Sequence, residues 1–206
     1  MERKKNSPDD DSEFIERDDQ NQPVGARKFW LGIWDLFKTI VLIVVLTYAI
    51  RLFIIQPFIV EGQSMEPAFQ NADYLITEKI SFRFRQIERG EIVIFHPPEN
   101  PEINYIKRVV GLPGDTISIK DGEIFINSKQ LLEPYLSSNK ETLTQSSGYS
   151  VTLADNQYFL LGDNRNHSRD SREIGPIPQT NIVSRVWFRL LPITSVRAFA
   201  AVNYAN

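Results

Sequence analysis

The chain has no cysteine, which excludes disulfides, thiolate metal centres and thiol nucleophiles together. Histidine is nearly as scarce. His96 and His167 are the only two, too few for a His-based metal site and thin material for a Ser-His-Asp triad. A dense Lys/Arg stripe is also missing and the formal net charge is -3, so the concentrated positive field that phosphates require is absent and nucleic acid is not an expected partner. Beyond residue 58 no convincing helix of ten or more residues is legible in the apolar pattern.

What is present falls into three parts. Residues 1–29 are rich in charge, Asn, Gln and Pro, with too few apolar side chains to offset the entropy of ordering; they read as a disordered tail. Residues 30–56 contain the uncharged, almost wholly apolar run from Thr39 to Ile50. With the long side chains of Lys38 and Arg51 reaching outward, the run extends to about 20 residues, the thickness of a bilayer's hydrocarbon core. Its apolar residues fill consecutive positions rather than one stripe, so a single membrane-spanning helix is expected.

The first apolar residues come too late for a cleavable leader, and the anchor is expected to stay. Arg27, Lys28 and Lys38 precede the run and only Arg51 closely follows it, so the tail is expected in the cytoplasm and everything after residue 56 outside. Gln56-Pro57 is expected to end the helix, because the residue before proline is pushed out of the α region.

Residues 57–206 change to short β-like runs: "FIVEG", "DYLITEK", "EIVIFHP", "NYIKRVVG", "DTISIKDGEIFIN", "YSVTL", "QYFLLG" and "SRVWFRL". They predict a mainly β, antiparallel, partly barrel-like domain behind the single helix. Lys-Asp-Gly-Glu at 120–123 has the composition of a hairpin turn.

Three stretches can carry chemistry. Ser64, in "IVEGQSMEPA", is by itself a turn serine, and no G-x-S-x-G elbow surrounds it. It needs a base. His96 precedes Pro97-Pro98 and His167 lies between Asn166 and Ser168; both read as surface positions. A lysine can serve instead if an apolar site keeps its amine neutral. In "NYIKRVV" strand alternation sets Tyr105, Lys107 and Val109 on one face. Burial there would lower the lysine pKa from about 10.4 to near 8, a shift of roughly 3 kcal/mol. An edge lysine with its head in water fits the same seven residues. The third stretch, "GDNRNHSRDSR" at 162–172, reads as a tight turn followed by hydroxyls and an Asp170–Arg172 pair, able to aim Ser168 at a neighbour; a solvated polar loop is the plainer alternative.

In this order behind an anchor, "GQSMEP", "YIKRVVGLPGD" and "GDNRNHSRDSR" resemble the type I signal peptidase family, membrane-bound Ser/Lys proteases that remove leader sequences from exported pre-proteins. "DYLITEKI" and "RGEIVIFHPP" fit as well, so the resemblance covers most of residues 57–191. It implies Ser64 as nucleophile, Lys107 as general base, Ser168 orienting the lysine amine, and Asp170 and Arg172 holding the loop together. It also implies Phe58, Val60, Gly62, Met65, Tyr105 and Ile106 as substrate-binding positions, and the Ser64 N–H as oxyanion donor.

Some members carry Ser or Thr two residues before the nucleophile as a second oxyanion donor. This chain has Gly62 there, so that donor must be another group or water. The resemblance implies no metal or organic cofactor. Its partners would be the signal peptides of pre-proteins, the lipid bilayer and the export translocon, and its location a bacterial plasma membrane or a thylakoid membrane.

Overall fold

In the computed structural model of the protein, which describes residues 24–136, 148–199, 201 and 204, the apolar run is one helix and the remainder is built on antiparallel strands. The expected tail lies outside the described residues as far as residue 23. The chain divides into two units, Met1–Leu46 and Thr47–Asn206.

Helix α1 spans Val24–Phe53. Within it Lys28–Arg51, 24 residues of mean hydropathy 2.0 with none of the stretch buried, is long and apolar enough to cross a membrane; at 1.5 Å per residue it measures about 36 Å. Asp35 and Lys38, one turn apart, pair at 2.8 Å, which lowers the cost of carrying either charge in an apolar surrounding. The helix begins before the expected Trp30 and stops before the expected Gln56. The early stop has a cause in the sheet: Ile55 and Gln56 already pair with Glu78 and Thr77, so strand pairing takes the chain out of the helix before Pro57 can. Pro57 itself sits in the first strand of the sheet path, where a missing N–H is tolerated.

The strands are β1 (Ile55–Ile59), β2 (Tyr74–Glu78), β3 (Ile92–Phe95), β4 (Tyr105–Gly111), β5 (Thr116–Lys120), β6 (Glu123–Ile126), β7 (Lys129–Gln130), β8 (Tyr149–Thr152), β9 (Gln157–Leu161), β10 (Ile177–Pro178), β11 (Ile182–Leu191) and β12 (Arg197–Ala198), with short helices α2 (Ser81–Phe84) and α3 (Ser171–Ile174). Among the described residues, one open, partly barrel-like sheet runs β1-β2-β11-β3-β4-β9-β10 with β12 on β11, and a smaller one runs β7-β6-β5-β8. The β5–β6 turn is formed by Asp121 and Gly122, both at positive φ, as the two-residue hairpin of the sequence requires.

Strand β3 explains why the sheet has a core on each side. All four residues of Ile-Val-Ile-Phe are buried. Ile92 and Ile94 join Val60, Met65, Phe69, Leu75, Ile106 and Val186, while Val93 and Phe95 join Ile87, Val109, Tyr158, Leu160 and Ile177. The register pairs Val93 with Lys107 and Phe95 with Tyr105, so Lys107 lies on the same face as these apolar neighbours, as the alternation predicts.

Next to this, the β4–β9 pairing carries an irregularity between Val109 and Gly111, and a third core of Val110, Ile117, Ile124, Leu153, Phe159 and Leu161 lies beside it. Gly111 is required there by space: a Cβ would lie 2.8 Å from Ile117, Leu153 and Phe159 side-chain atoms at once. Gly111→Ala is therefore expected to destabilise the protein by about 1–3 kcal/mol through overpacking, read as a lowered thermal midpoint; an unchanged midpoint would show that the junction can relax.

Candidate active site

Ser64 sits in the segment that joins β1 to β2, and the segment is closed at its base and pinned in its middle. Val60 and Asp73 are bridged by the Val60 N–H donating to Asp73 O at 2.9 Å, and the Ala72 N–H returns to Val60 O at 2.8 Å. Gly62 holds φ 91°, a region open to glycine, and its N–H donates to Asn71 Oδ1 at 2.9 Å. Met65 and Phe69, 1% and 0% exposed, anchor the loop in the core.

Opposite stands Lys107 on β4. Its Nζ donates to Ser64 Oγ at 2.7 Å and to Ile106 O at 2.9 Å, and the Tyr105 ring centroid lies 5.4 Å away. The residue is 3% exposed. Burial lowers its pKa from 10.5 to about 8; the negative charges of Asp170 and Asp163 pull it upward, and the positive charge of Arg172 pushes it down. The edge-lysine alternative is therefore excluded by geometry, since the head is inside. Neither histidine reaches the serine: His96 Nδ1 faces Ile103 O at 3.0 Å, and His167 is exposed.

The loop at 162–172 is organised on Asp170, which has no exposure. Its carboxylate accepts from the Gly162 N–H at 3.0 Å, from Ser168 Oγ at 2.7 Å, and from Arg172 Nε and Nη2 at 2.8 Å each. The Asp170–Arg172 pair thus forms as the sequence suggests, in a bidentate fork. Ser168 departs from expectation: its hydroxyl is taken by Asp170, and the lysine amine is held by Ile106 O instead.

A cleft of about 540 Å³ opens beside the pair, lined among others by Phe58, Val60, Leu75, Ile103, Tyr105 and Ile106 together with Ser64 and Lys107. Four of the expected substrate positions thus border it. Met65 and Gly62 do not; the Met65 side chain belongs to the core, where packing with Phe69 and Leu75 fixes the loop.

Several residues of the site escape sequence reasoning. Asp163 pairs with Arg108 through Nε at 2.8 Å and Nη2 at 2.6 Å, both residues buried. Asn164 donates its backbone N–H to Ser64 O at 3.0 Å and its side-chain Nδ2 to Gln63 O at 3.1 Å. Gly162 is crowded: a Cβ there would stand 2.2 Å from Ser168 Oγ and 2.5 Å from Ser64 O. The adjacency of Arg108 to Lys107, and of all three to the Asp170 loop, was the only available signal.

A hydroxyl against a buried amine, beside an apolar cleft, is an arrangement suited to acyl transfer. Comparison with known proteins identifies a family. The family described as signal peptidase, peptidase S26, matches residues 33–191. A probable signal peptidase I-2 of Synechocystis sp. is 39% identical over 173 residues, covering 81% of this chain and 76% of the relative. A signal peptidase I of Bacillus licheniformis is 36% identical over 174 residues, covering 81% and 92%. Among solved structures, a signal peptidase I from Enterococcus faecalis aligns with TM-score 0.42 and 31% identity over 49% of this chain and 97% of that one.

The buried amine has a measurable cost. Below pH 8 the folded and unfolded chains both hold the lysine proton, and the folded one carries a desolvated ammonium, a penalty on the order of 3 kcal/mol. Between pH 8 and about 10.4 the unfolded state binds more protons, so stability rises with pH and the penalty fades. Lys107→Met is expected to raise the thermal midpoint of the detergent-solubilised chain at pH 6.5, with the gain shrinking by pH 10. A gain that does not vary with pH would refute the assignment of that cost to the amine.

Proposed function

The chain belongs to the signal peptidase family, peptidase S26, and from that premise we propose that it is a membrane-anchored serine endopeptidase that cuts signal peptides from exported pre-proteins after small-x-small residues, through a Ser64–Lys107 acyl-enzyme mechanism. The observation that carries this reading is the 2.7 Å contact between Lys107 Nζ and Ser64 Oγ in a buried setting.

The neutral amine takes the Ser64 proton as Oγ attacks the scissile carbonyl. The tetrahedral oxyanion accepts from the Ser64 N–H, which has no acceptor among the described residues. Lys107 then delivers the proton to the leaving amine, and an ester on Ser64 remains. Water, deprotonated by the same amine, hydrolyses it. With a pKa of about 8, roughly one tenth of the lysine is neutral at pH 7, enough for a base poised near working pH. Asp170 and Arg172 hold the loop against which the dyad packs, and Ser168 acts through Asp170 rather than on the amine.

The leader lies extended along β1, the first strand of the sheet path, with backbone pairing supplying affinity and the cleft beside Phe58, Val60, Tyr105 and Ile106 inspecting alternate side chains. The N-terminus is cytoplasmic and the β domain extracytoplasmic, by the charge bias around α1. The membrane is a bacterial plasma membrane, with the thylakoid as alternative, and the translocon is a partner for precursor delivery. Trp187, Leu191 and Ile193 are exposed and suit contact with lipid headgroups.

Cleavage of a precursor ending in Ala-x-Ala by the full chain in detergent tests the reading. Ser64→Ala and Lys107→Ala are each expected to lower kcat by at least about 1,000-fold. For the wild type, kcat/KM should rise about tenfold per pH unit below 8 and level above it, because only the neutral amine accepts the proton. Full activity in Lys107→Ala would sink the mechanism.

A further inference from the structure

The proposed oxyanion donor, the Ser64 N–H, belongs to the peptide group that joins Gln63 to Ser64. That bond is trans, since the cis bonds are Glu66-Pro67 and Leu191-Pro192, so its carbonyl and its N–H point in opposite directions. Whatever holds the Gln63 carbonyl therefore aims the Ser64 N–H. Two donors hold it: Asn164 Nδ2 at 3.1 Å and the Glu66 N–H at 3.1 Å.

Asn164 also grips the next peptide. Its backbone N–H donates to Ser64 O at 3.0 Å, so one residue binds the carbonyls on both sides of the Ser64 Cα. Only the amide NH₂ can face a carbonyl oxygen, and Asn164 Oδ1 correspondingly turns to His167 Nδ1 at 3.4 Å. Asn164 is buried, and so is Asp163 before it, locked by Arg108. Arg108 adjoins Lys107 on β4. The clamp thus fixes the oxyanion donor to the strand that carries the base.

We infer that Asn164 is a positioning residue of the oxyanion hole, aligning the Ser64 N–H through the Gln63 carbonyl. The inference rests on the reading of Ser64 as nucleophile. Donors to that carbonyl also polarise the peptide and make its N–H a stronger donor toward developing negative charge. The interaction matters most in the tetrahedral state, when charge accumulates on the substrate oxygen, and little for the bound ground state.

The test compares wild type, Asn164→Ala, Asn164→Asp and Ser64→Ala as full chains in detergent, on an Ala-x-Ala precursor. Alanine keeps the backbone bond to Ser64 O and removes the Nδ2 donor, together with the long Oδ1 contact to His167. Expected for Asn164→Ala is a loss of about 10- to 100-fold in kcat with KM within about twofold, smaller than the loss from deleting an oxyanion donor outright. The acid limb of the pH profile should stay where the wild type has it. A peptide ending in a boronic acid, whose tetrahedral adduct uses the oxyanion donor, should bind weaker by a similar factor, while an N-methylated, uncleavable leader peptide should bind within about twofold of wild type.

Asn164→Asp keeps the shape and turns an acceptor toward the carbonyl, so its loss should be larger; it replaces alanine in the comparison if the alanine variant does not fold. A kcat within about threefold of wild type in the folded variant, equal losses for boronate and uncleavable peptide, or a displaced pH limb would each overturn the inference. An active Ser64→Ala would instead sink the nucleophile assignment, whereas an inert Ser64→Ala beside a fully active Asn164 variant would sink this inference alone.

Discussion

The rest of the site depends on keeping one amine dry. Lys107 lowers to a pKa of about 8 because it is buried, and burial is maintained by packing rather than by a charged partner. The lysine shares its β4 face with Val109 and lies opposite Val93 of β3. A carboxylate placed against the amine would defeat the arrangement by stabilising the ammonium. Two carboxylates are near, and each is already committed: Asp170 to Arg172 and Asp163 to Arg108. The pairing leaves both acids useful as hydrogen-bond acceptors for the loop while cancelling much of their pull on the lysine proton. A Ser/Lys pair can thus do without the third, orienting acid of a histidine triad. Desolvation tunes the base, and the Ile106 carbonyl sets its direction.

Much of this was legible in the chain. Short apolar, β-branched and aromatic runs marked β2, β3, β4 and β9, and Asp121-Gly122 marked the hairpin. Strand alternation set Lys107 among apolar neighbours, and the scarcity of histidine left lysine as the base. Other features have no local signature. Strands β7, β10 and β12 have two residues each, too few for any period to register. The end of α1 lies before the proline because cross-strand pairing of Ile55 and Gln56 acts first.

Contacts between distant segments were least legible. Gln63 and Asn164 meet across 101 residues of sequence, and Arg108 and Asp163 across 55. Nothing in the composition of either segment announces the other. The same limit explains Ser168: its spacing to Asp170 was visible, but which of two acceptors would take its proton depends on where β4 runs relative to the loop. Met65 illustrates the converse, since an apolar residue beside a nucleophile reads equally as pocket wall or as anchor until its exposure is known.

The two loops meet at a distance that only glycine permits. A methyl group at Gly162 would overlap both Ser168 and the Ser64 carbonyl, and the clash would fall on backbone and on a hydroxyl already bound to Asp170, neither of which can yield cheaply. The requirement here is space rather than φ, which distinguishes it from Gly62, where the positive φ turns the chain toward Ser64. One glycine therefore shapes the nucleophile loop and the other lets its partner approach. Because Gly162 directly precedes Asp163 and Asn164, the close approach also brings the Arg108 anchor and the amide clamp into reach. The order Gly-Asp-Asn then follows from geometry: contact first, anchor to β4 second, grip on the nucleophile third.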